Sequence, residues 1–192
     1  MAVTLVTGPV RAGKSRYVNQ IAQASGKRVR FIATAIREAD DGEWDVRLRR
    51  HMQERPREWE LVESASLTHE ELVEIIASAG EDRCLVIDAL GTWLAARIAT
   101  HIEEFQRDYA AFEAQLDAEA AQLADVMLRS AADVVVVAEE VGWDIVPVAA
   151  SARLFRDVLG RMKQRLAAES ASVYLVVCGY ALDLRALGVT IT

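Results

Sequence analysis

A chain of 192 residues with 52% hydrophobic and 27% charged side chains is long enough to build one ordinary domain and too apolar to stay disordered, so one folded unit spanning residues 1–192 is expected. Its net charge of −7 supplies no overall field to attract nucleic acid or an anionic membrane, so any anionic ligand must meet local positive charge. The sequence starts without a signal-like leader and no apolar run approaches the roughly 20 residues needed to span a bilayer, so a soluble cytoplasmic protein without stable membrane insertion is expected.

The first element is a short apolar strand, "AVTLVTG", which runs directly into Gly8, Pro9, Val10, Arg11, Ala12, Gly13, Lys14 and Ser15. This is the spacing G-x-x-x-x-G-K-S between a strand and a helix candidate at 14–24. Its glycines let the backbone turn so that successive N–H groups face phosphate oxygens, and the helix N-terminus adds roughly half a positive charge. Lys14 is placed to reach the β- and γ-phosphates. Ser15 is expected to hold Mg²⁺, which prefers oxygen donors and keeps several waters.

A second strand, "RVRFIATA", precedes a helix candidate at 41–55 and the stretch "WDVRLRRHMQERPREW". Here Arg47, Arg49, Arg50, Arg55 and Arg57 surround a single His51 in an acidic protein. In a helix, Arg47, His51 and Arg55 share one face. Flanking cations disfavour the imidazolium, which keeps His51 neutral and able to attack phosphorus while the arginines neutralise developing charge. The same residues also read as a solvated basic helix face carrying an incidental histidine.

Next come a strand "WELVES" and a helix candidate at 68–79, with Thr68 or Ser66 as its cap and His69 expected at the surface. The strand "CLVIDAL" carries Asp88 at its end, where a carboxylate orders Mg²⁺ directly or through water. Helix candidates follow at 91–100 and, past a polar junction at His101, at 103–131. Phe105, Tyr109, Phe112, Leu116, Leu123 and Met127 fall near helical spacing there, as a face that covers the sheet or makes an oligomer contact. The chain closes with "DVVVVAEEVG", a helix candidate at 150–169 and "SVYLVVCG". Cys84 and Cys178 lie in apolar runs as small buried hydrophobes. Strands that are apolar throughout, alternating with helices, predict an α/β domain with a mostly parallel sheet covered on both faces.

In order along residues 3–180, "TLVTGPVRAGKSRY", "FIATA", "RLRRHMQERPREWELVE", "LVIDALGTWLA", "EEVGWDIVP" and "ARLFRDVLGRMKQRLAAESASVYLVVCG" resemble the bifunctional adenosylcobinamide kinase/adenosylcobinamide-phosphate guanylyltransferase family of cobalamin biosynthesis. The resemblance implies a three-layer, RecA-like P-loop NTPase fold, often a homotrimer. It implies phosphorylation of adenosylcobinamide by ATP or GTP, then transfer of GMP from GTP through a guanylyl-histidine to adenosylcobinamide phosphate, giving adenosylcobinamide-GDP. His51 matches the family's guanylylated histidine in the pattern H-x-x-x-R-P-x-x-W. Gly8 to Ser15 would cradle phosphates. Thr34, Ala35 and Ile36, then Met52, Gln53, Glu54, Arg55 and Glu63, fall at the family's guanine-nucleotide contacts, and Asp88 at its acid on the metal side. A carboxylate such as Glu63 can accept from both N1–H and the exocyclic amine of guanine, which adenine cannot offer.

Three positions depart from the family's pattern. Ala12 replaces a serine of the phosphate loop, where the backbone does the binding. Glu139 stands before Glu140 in place of an asparagine, and Lys163 replaces another. These last two either compensate each other electrostatically or alter how substrate is handled. Two other functions fit the phosphate loop: a kinase of another small alcohol that uses His51 only as a phosphate contact, and a non-catalytic NTP-binding regulatory module.

Overall fold

The computed structural model describes residues 2–35 and 55–191. The helix candidate at 41–55 therefore lies outside the described residues, apart from its last position.

Seven strands form one sheet: β1 (Val3–Gly8), β2 (Arg28–Ala33), β3 (Glu60–Glu63), β4 (Arg83–Asp88), β5 (Asp133–Glu139), β6 (Ser172–Val177) and β7 (Tyr180–Asp183). Their order is β3-β2-β4-β5-β1-β6-β7, with every pairing parallel except β6 with β7. The described helices are α1 (Lys14–Ala24), α2 (His69–Ala77), α3 (Leu90–Thr100), α4 (Ile102–Arg107), α5 (Tyr109–Arg129), α6 (Ala150–Glu169) and α7 (Leu184–Leu187).

The apolar strand runs have a direct explanation in β5. Val134, Val136 and Ala138 point into the larger core shared with α2, α3, α5 and α6, while Val135 and Val137 point into a second core with Val18 and Ala22 of α1. A strand buried on both faces has no polar face to alternate with. The result is the expected three-layer, mostly parallel α/β fold. Because the central strands run the same way, the ends of β1, β4 and β5 meet at one edge, where open α/β sheets hold their ligands.

Four local expectations are corrected. The helix expected over 103–131 is two helices, because Asp108 adopts an extended conformation and its Oδ1 accepts from Ala111 N at 3.1 Å, capping a new helix. Phe112, Leu116, Leu123 and Met127 of α5 are buried as the spacing predicts, whereas Tyr109 at the first position is exposed. His69 is buried, not superficial: although Thr68 caps α2 with Glu71 as expected, the imidazole turns inward, its Nε2 3.0 Å from Gln122 Oε1 and its ring beside Trp93. Cys178 is exposed, because it and Gly179 form a two-residue hairpin turn at positive φ into β7, a strand too short and too exposed to show in the apolar pattern.

Leu116 is 1% exposed at the centre of the larger core. Leu116→Ala is expected to lower unfolding stability by about 3 kcal/mol through lost burial and the cavity left behind. Urea unfolding measures this, and a loss below about 1 kcal/mol would contradict the packing described.

Candidate functional site

The phosphate loop is wedged between β1 and β6. Gly8 takes φ 151°, and a Cβ built there would lie 2.2 Å from the carbonyl oxygen of Val176, so the chain can pass only without a side chain. Arg11 sits in the left-handed region at φ 57°, a conformation that costs a non-glycine residue about 1 kcal/mol and is met at functional turns. The β6–β7 turn braces the loop from outside, since Gly179 N donates to Ala12 O at 2.9 Å. Sequence reasoning missed that brace; the glycine after "VVC" was its one visible sign.

Lys14 opens α1 and is 9% exposed, with Nζ donating to the carbonyls of Gly8 and Pro9 at 2.8 Å each. Burial lowers its pKa against the opposing pull of Glu139, Asp88 and Glu140. Gly13 gives α1 no side-chain cap, and the first turn carries no acid, so the helix N-terminus keeps its affinity for an anion.

Asp88, ending β4, is brought to the loop as predicted: Ser15 Oγ donates to Asp88 Oδ2 at 3.3 Å. A hydroxyl and a carboxylate are hard oxygen donors, and the pair fits a Mg²⁺ that draws its other ligands from phosphate and water. Among the described residues no group of three or more His, Cys, Asp or Glu side chains offers an all-protein metal cage. Thr34 is buried beside this turn, with Oγ1 donating to Ala89 O at 2.6 Å and accepting from Ala89 N at 2.8 Å. It also hydrogen-bonds Thr92 Oγ1, so the predicted Thr34 holds the turn after Asp88 as well as lining the edge.

The two departures at the tip of β5 do not pair with each other. Glu139 Oε2 accepts from Gly91 N at 2.9 Å, acting from a neighbouring strand as a cap for α3, whose own Ala89 has no capping side chain. Gly91 makes that approach possible, because a Cβ there would lie 2.3 Å from the same oxygen. Burial pushes the Glu139 carboxyl up, and Asp88 adds to the shift. Lys163 instead donates to Glu140 Oε1 at 2.7 Å, an oxygen that also accepts from Thr7 Oγ1 at 2.7 Å. Its contact with Glu139 is to the main-chain carbonyl, at 3.4 Å.

The remaining predicted residues divide by place. Ala35 follows Thr34 at the end of β2, half-buried. Arg55 lies with its guanidinium 4.7 Å from the centre of the Phe31 ring, where burial lowers its pKa against the fields of Glu63 and Asp88. Glu63 ends β3, in register with Ala33 and, through it, with Asp88. Four strand spacings separate β3 from β1, about 19 Å, so Glu63 belongs to a region distinct from the phosphate loop. Pro9 is half-buried and Val10 exposed on that loop. Ile36, His51, Met52, Gln53 and Glu54 lie outside the described residues.

Two measurements probe the tip of β5. Gly91→Ala is expected to cost about 1–2 kcal/mol by displacing Glu139, and to cost nothing in a Glu139→Ala background, where alanine is the better helix former. A double-mutant cycle by urea unfolding reads the difference, and equal costs in both backgrounds would remove the contact. For Glu139 itself, a folded-state pKa above the ordinary value gives stability that is present below the unfolded pKa and lost as pH rises through the folded one. Glu139→Gln keeps an acceptor for Gly91 N–H without that titration, so its stability relative to the parent is expected to rise from pH 4 to pH 8. A difference that is flat or falling over that range would contradict a buried, raised carboxyl.

Comparison with known proteins agrees with this geometry. The chain matches the family described as cobinamide kinase / cobinamide phosphate guanyltransferase over residues 4–184. It is 34% identical over 185 residues to the bifunctional adenosylcobalamin biosynthesis protein CobU of Escherichia coli (strain K12), covering 94% of this chain and 98% of that protein. Against the protein of the same name from Salmonella typhimurium it is 35% identical over 184 residues, with the same coverage, and against CobP of Pseudomonas aeruginosa it is 31% identical over 186 residues, covering 94% and 96%. In fold it resembles the solved structure of a prototypical ATPase from the type III secretion system of pathogenic bacteria, with TM-score 0.58 and 9% identity; the match takes in 98% of this chain and 59% of that one. With a phosphate loop, a strand-end aspartate and a family match that runs through both, the chain belongs to the cobinamide kinase / cobinamide phosphate guanyltransferase family.

Proposed function

We propose that the chain is a bifunctional nucleotide-dependent transferase of cobalamin biosynthesis. It phosphorylates adenosylcobinamide with ATP or GTP, then transfers GMP from GTP through His51 to adenosylcobinamide phosphate, giving adenosylcobinamide-GDP. The single observation that carries this reading is the built phosphate cradle, with Lys14 buried at its wall and Ser15 facing Asp88, in a chain matched to the family over residues 4–184.

In the first reaction the acceptor's hydroxyl oxygen attacks the γ-phosphorus in line, the bond to the β-phosphate oxygen breaks, the hydroxyl proton is released to solvent, and the nucleoside diphosphate leaves. The backbone N–H groups of residues 8–15 and the start of α1 hold the phosphates, and Lys14 neutralises charge on the leaving oxygen. Ser15 and Asp88 would hold Mg²⁺, which supplies further charge neutralisation on the phosphate oxygens. In the second reaction a ring nitrogen of neutral His51 attacks the α-phosphorus of GTP and pyrophosphate leaves. A phosphate oxygen of the phosphorylated acceptor then displaces the imidazole and restores it. Arg55, already held over Phe31, neutralises charge near this exchange, and Glu63 accepts from the guanine edge. The chain works as one domain in the cytoplasm and assembles as a homotrimer. Among the described residues no helix is long and apolar enough to cross a membrane.

Incubation with labelled GTP and mass analysis of the protein test the reading. The expected result is one added GMP on His51, labile to acid and stable to base as a phosphoramidate is, together with a phosphorylated corrinoid product when adenosylcobinamide and ATP or GTP are supplied. His51→Asn should abolish the adduct while sparing the phosphorylation. An unmodified His51 in a protein that phosphorylates another alcohol would replace this reading by that of a simple kinase.

A further inference from the structure

We propose that the segment 141–148, which leaves the tip of β5 beside the phosphate loop, is the seat of the macrocyclic acceptor; this rests on the function proposed above. The location follows from the sheet. Gly8 and Glu139 are register partners, and Glu140 N donates to Gly8 O at 3.0 Å, so the segment departs from the sheet where the phosphate cradle begins. An acceptor whose hydroxyl must meet the γ-phosphorus within contact distance needs its bulk held next to that cradle.

The segment's surface is unlike that of an ordinary connection. Trp143 is 68% exposed, Ile145 88%, Val146 70% and Val148 97%, and Val10 on the phosphate loop is 73% exposed. Clustered apolar side chains facing water mark a binding surface, since each forgoes the gain available from burial.

The segment is also held in shape. Arg156 of α6 donates to the carbonyls of Ile145, Gly142 and Asp144 at 2.8, 3.0 and 3.2 Å, and Arg153 to those of Pro147 and Val148 at 3.0 and 2.6 Å. Asp144 turns its carboxylate back to Ile145 N at 2.7 Å. Two guanidinium groups thus satisfy five carbonyls from behind, and the apolar side chains are displayed on a braced backbone, which cuts the ordering cost of binding. Because that positive charge is committed to carbonyls, the outward face suits a large ring with apolar surface better than a polyphosphate. Trp143 offers a flat face for such a ring.

A second copy of the chain is the competing occupant. The sheet edge offers it another surface, at Tyr180 of β7 and Leu187, Val189 and Ile191 beyond, all exposed. The position beside the cradle is what assigns residues 141–148 to the acceptor.

The test uses the full chain, with cobinamide as the probe, in the parent and in Trp143→Ser, Ile145→Ser and Trp143→Phe. Cobinamide affinity is read by equilibrium dialysis, GTP-dependent labelling of the protein serves as a readout that needs no corrinoid, and molar mass comes from light scattering. The serine variants are expected to weaken cobinamide binding about tenfold or more, with labelling and mass unchanged and with Trp143→Phe close to the parent. Unchanged cobinamide affinity in both serine variants overturns the inference, and a fall in molar mass that parallels weakened binding overturns it in favour of a subunit contact. A parent chain that takes label from GTP yet binds no cobinamide overturns the proposed acceptor and this seat together, whereas a parent that binds cobinamide equally to its variants leaves the function standing and removes only the seat.

Discussion

The site depends on one steric constraint: the backbone at Gly8 passes so close to the carbonyl of Val176 that no side chain fits between them. That contact presses the phosphate loop under β6 and lets the β6–β7 turn bond Ala12 from the other side. The loop is therefore clamped between two strands before any ligand contributes. A clamped loop holds its N–H groups in place, and pre-organised donors stabilise phosphate without being reordered at the moment of binding. Lys14 follows from the same constraint, because the turn that closes on Gly8 and Pro9 draws its ammonium into the wall of the cradle.

Around that wall the fold gathers charge that it only partly neutralises. Burial works against the charged form of Lys14 and of Glu139 alike, lowering one pKa and raising the other. Glu139 is tied to the start of α3 through Gly91, and Glu140 to α6 and β1 through Lys163 and Thr7. These bonds fix the tip of β5 to the elements on either side of it. Half-buried carboxylates and an ammonium are costly unless matched, and such clusters are found where function needs them. For the lysine and the helix N-terminus, the matching group that a nucleotide brings is phosphate.

Strand order explains how one sheet can serve two transfers. β5 lies between the phosphate-loop strand and the strand that carries Asp88, and from its tip the chain runs directly into the exposed apolar segment braced by Arg153 and Arg156. On the other side of Asp88, β2 and β3 carry Thr34, Arg55's platform Phe31, and Glu63. Along this edge the order is therefore the region of arginine and carboxylate, then Asp88, then the start of the apolar segment, then the phosphate cradle. An acceptor seated at the tip of β5 would stand next to the cradle, and a guanine nucleotide on β2 and β3 would approach from the side of Asp88.

Sequence by itself determined what depends on neighbouring residues: the phosphate loop from its spacing, the parallel sheet from unbroken apolar runs, a helix cap at Thr68 or Ser66, and Asp88 as the acid ending its strand. These are legible because local backbone preference and burial on both faces leave a pattern within a few residues. Tertiary structure alone decided what depends on distant partners. It turned His69 inward onto Gln122, broke one expected helix at Asp108, and exposed Cys178 in a hairpin turn. It also gave Glu139 to Gly91 and Lys163 to Glu140, although the two departures could be read from sequence as a mutual pair. The physical reason is that a charged side chain at a strand tip bonds to whichever group the packing of other elements brings within 3 Å, and no spacing along the chain records that choice.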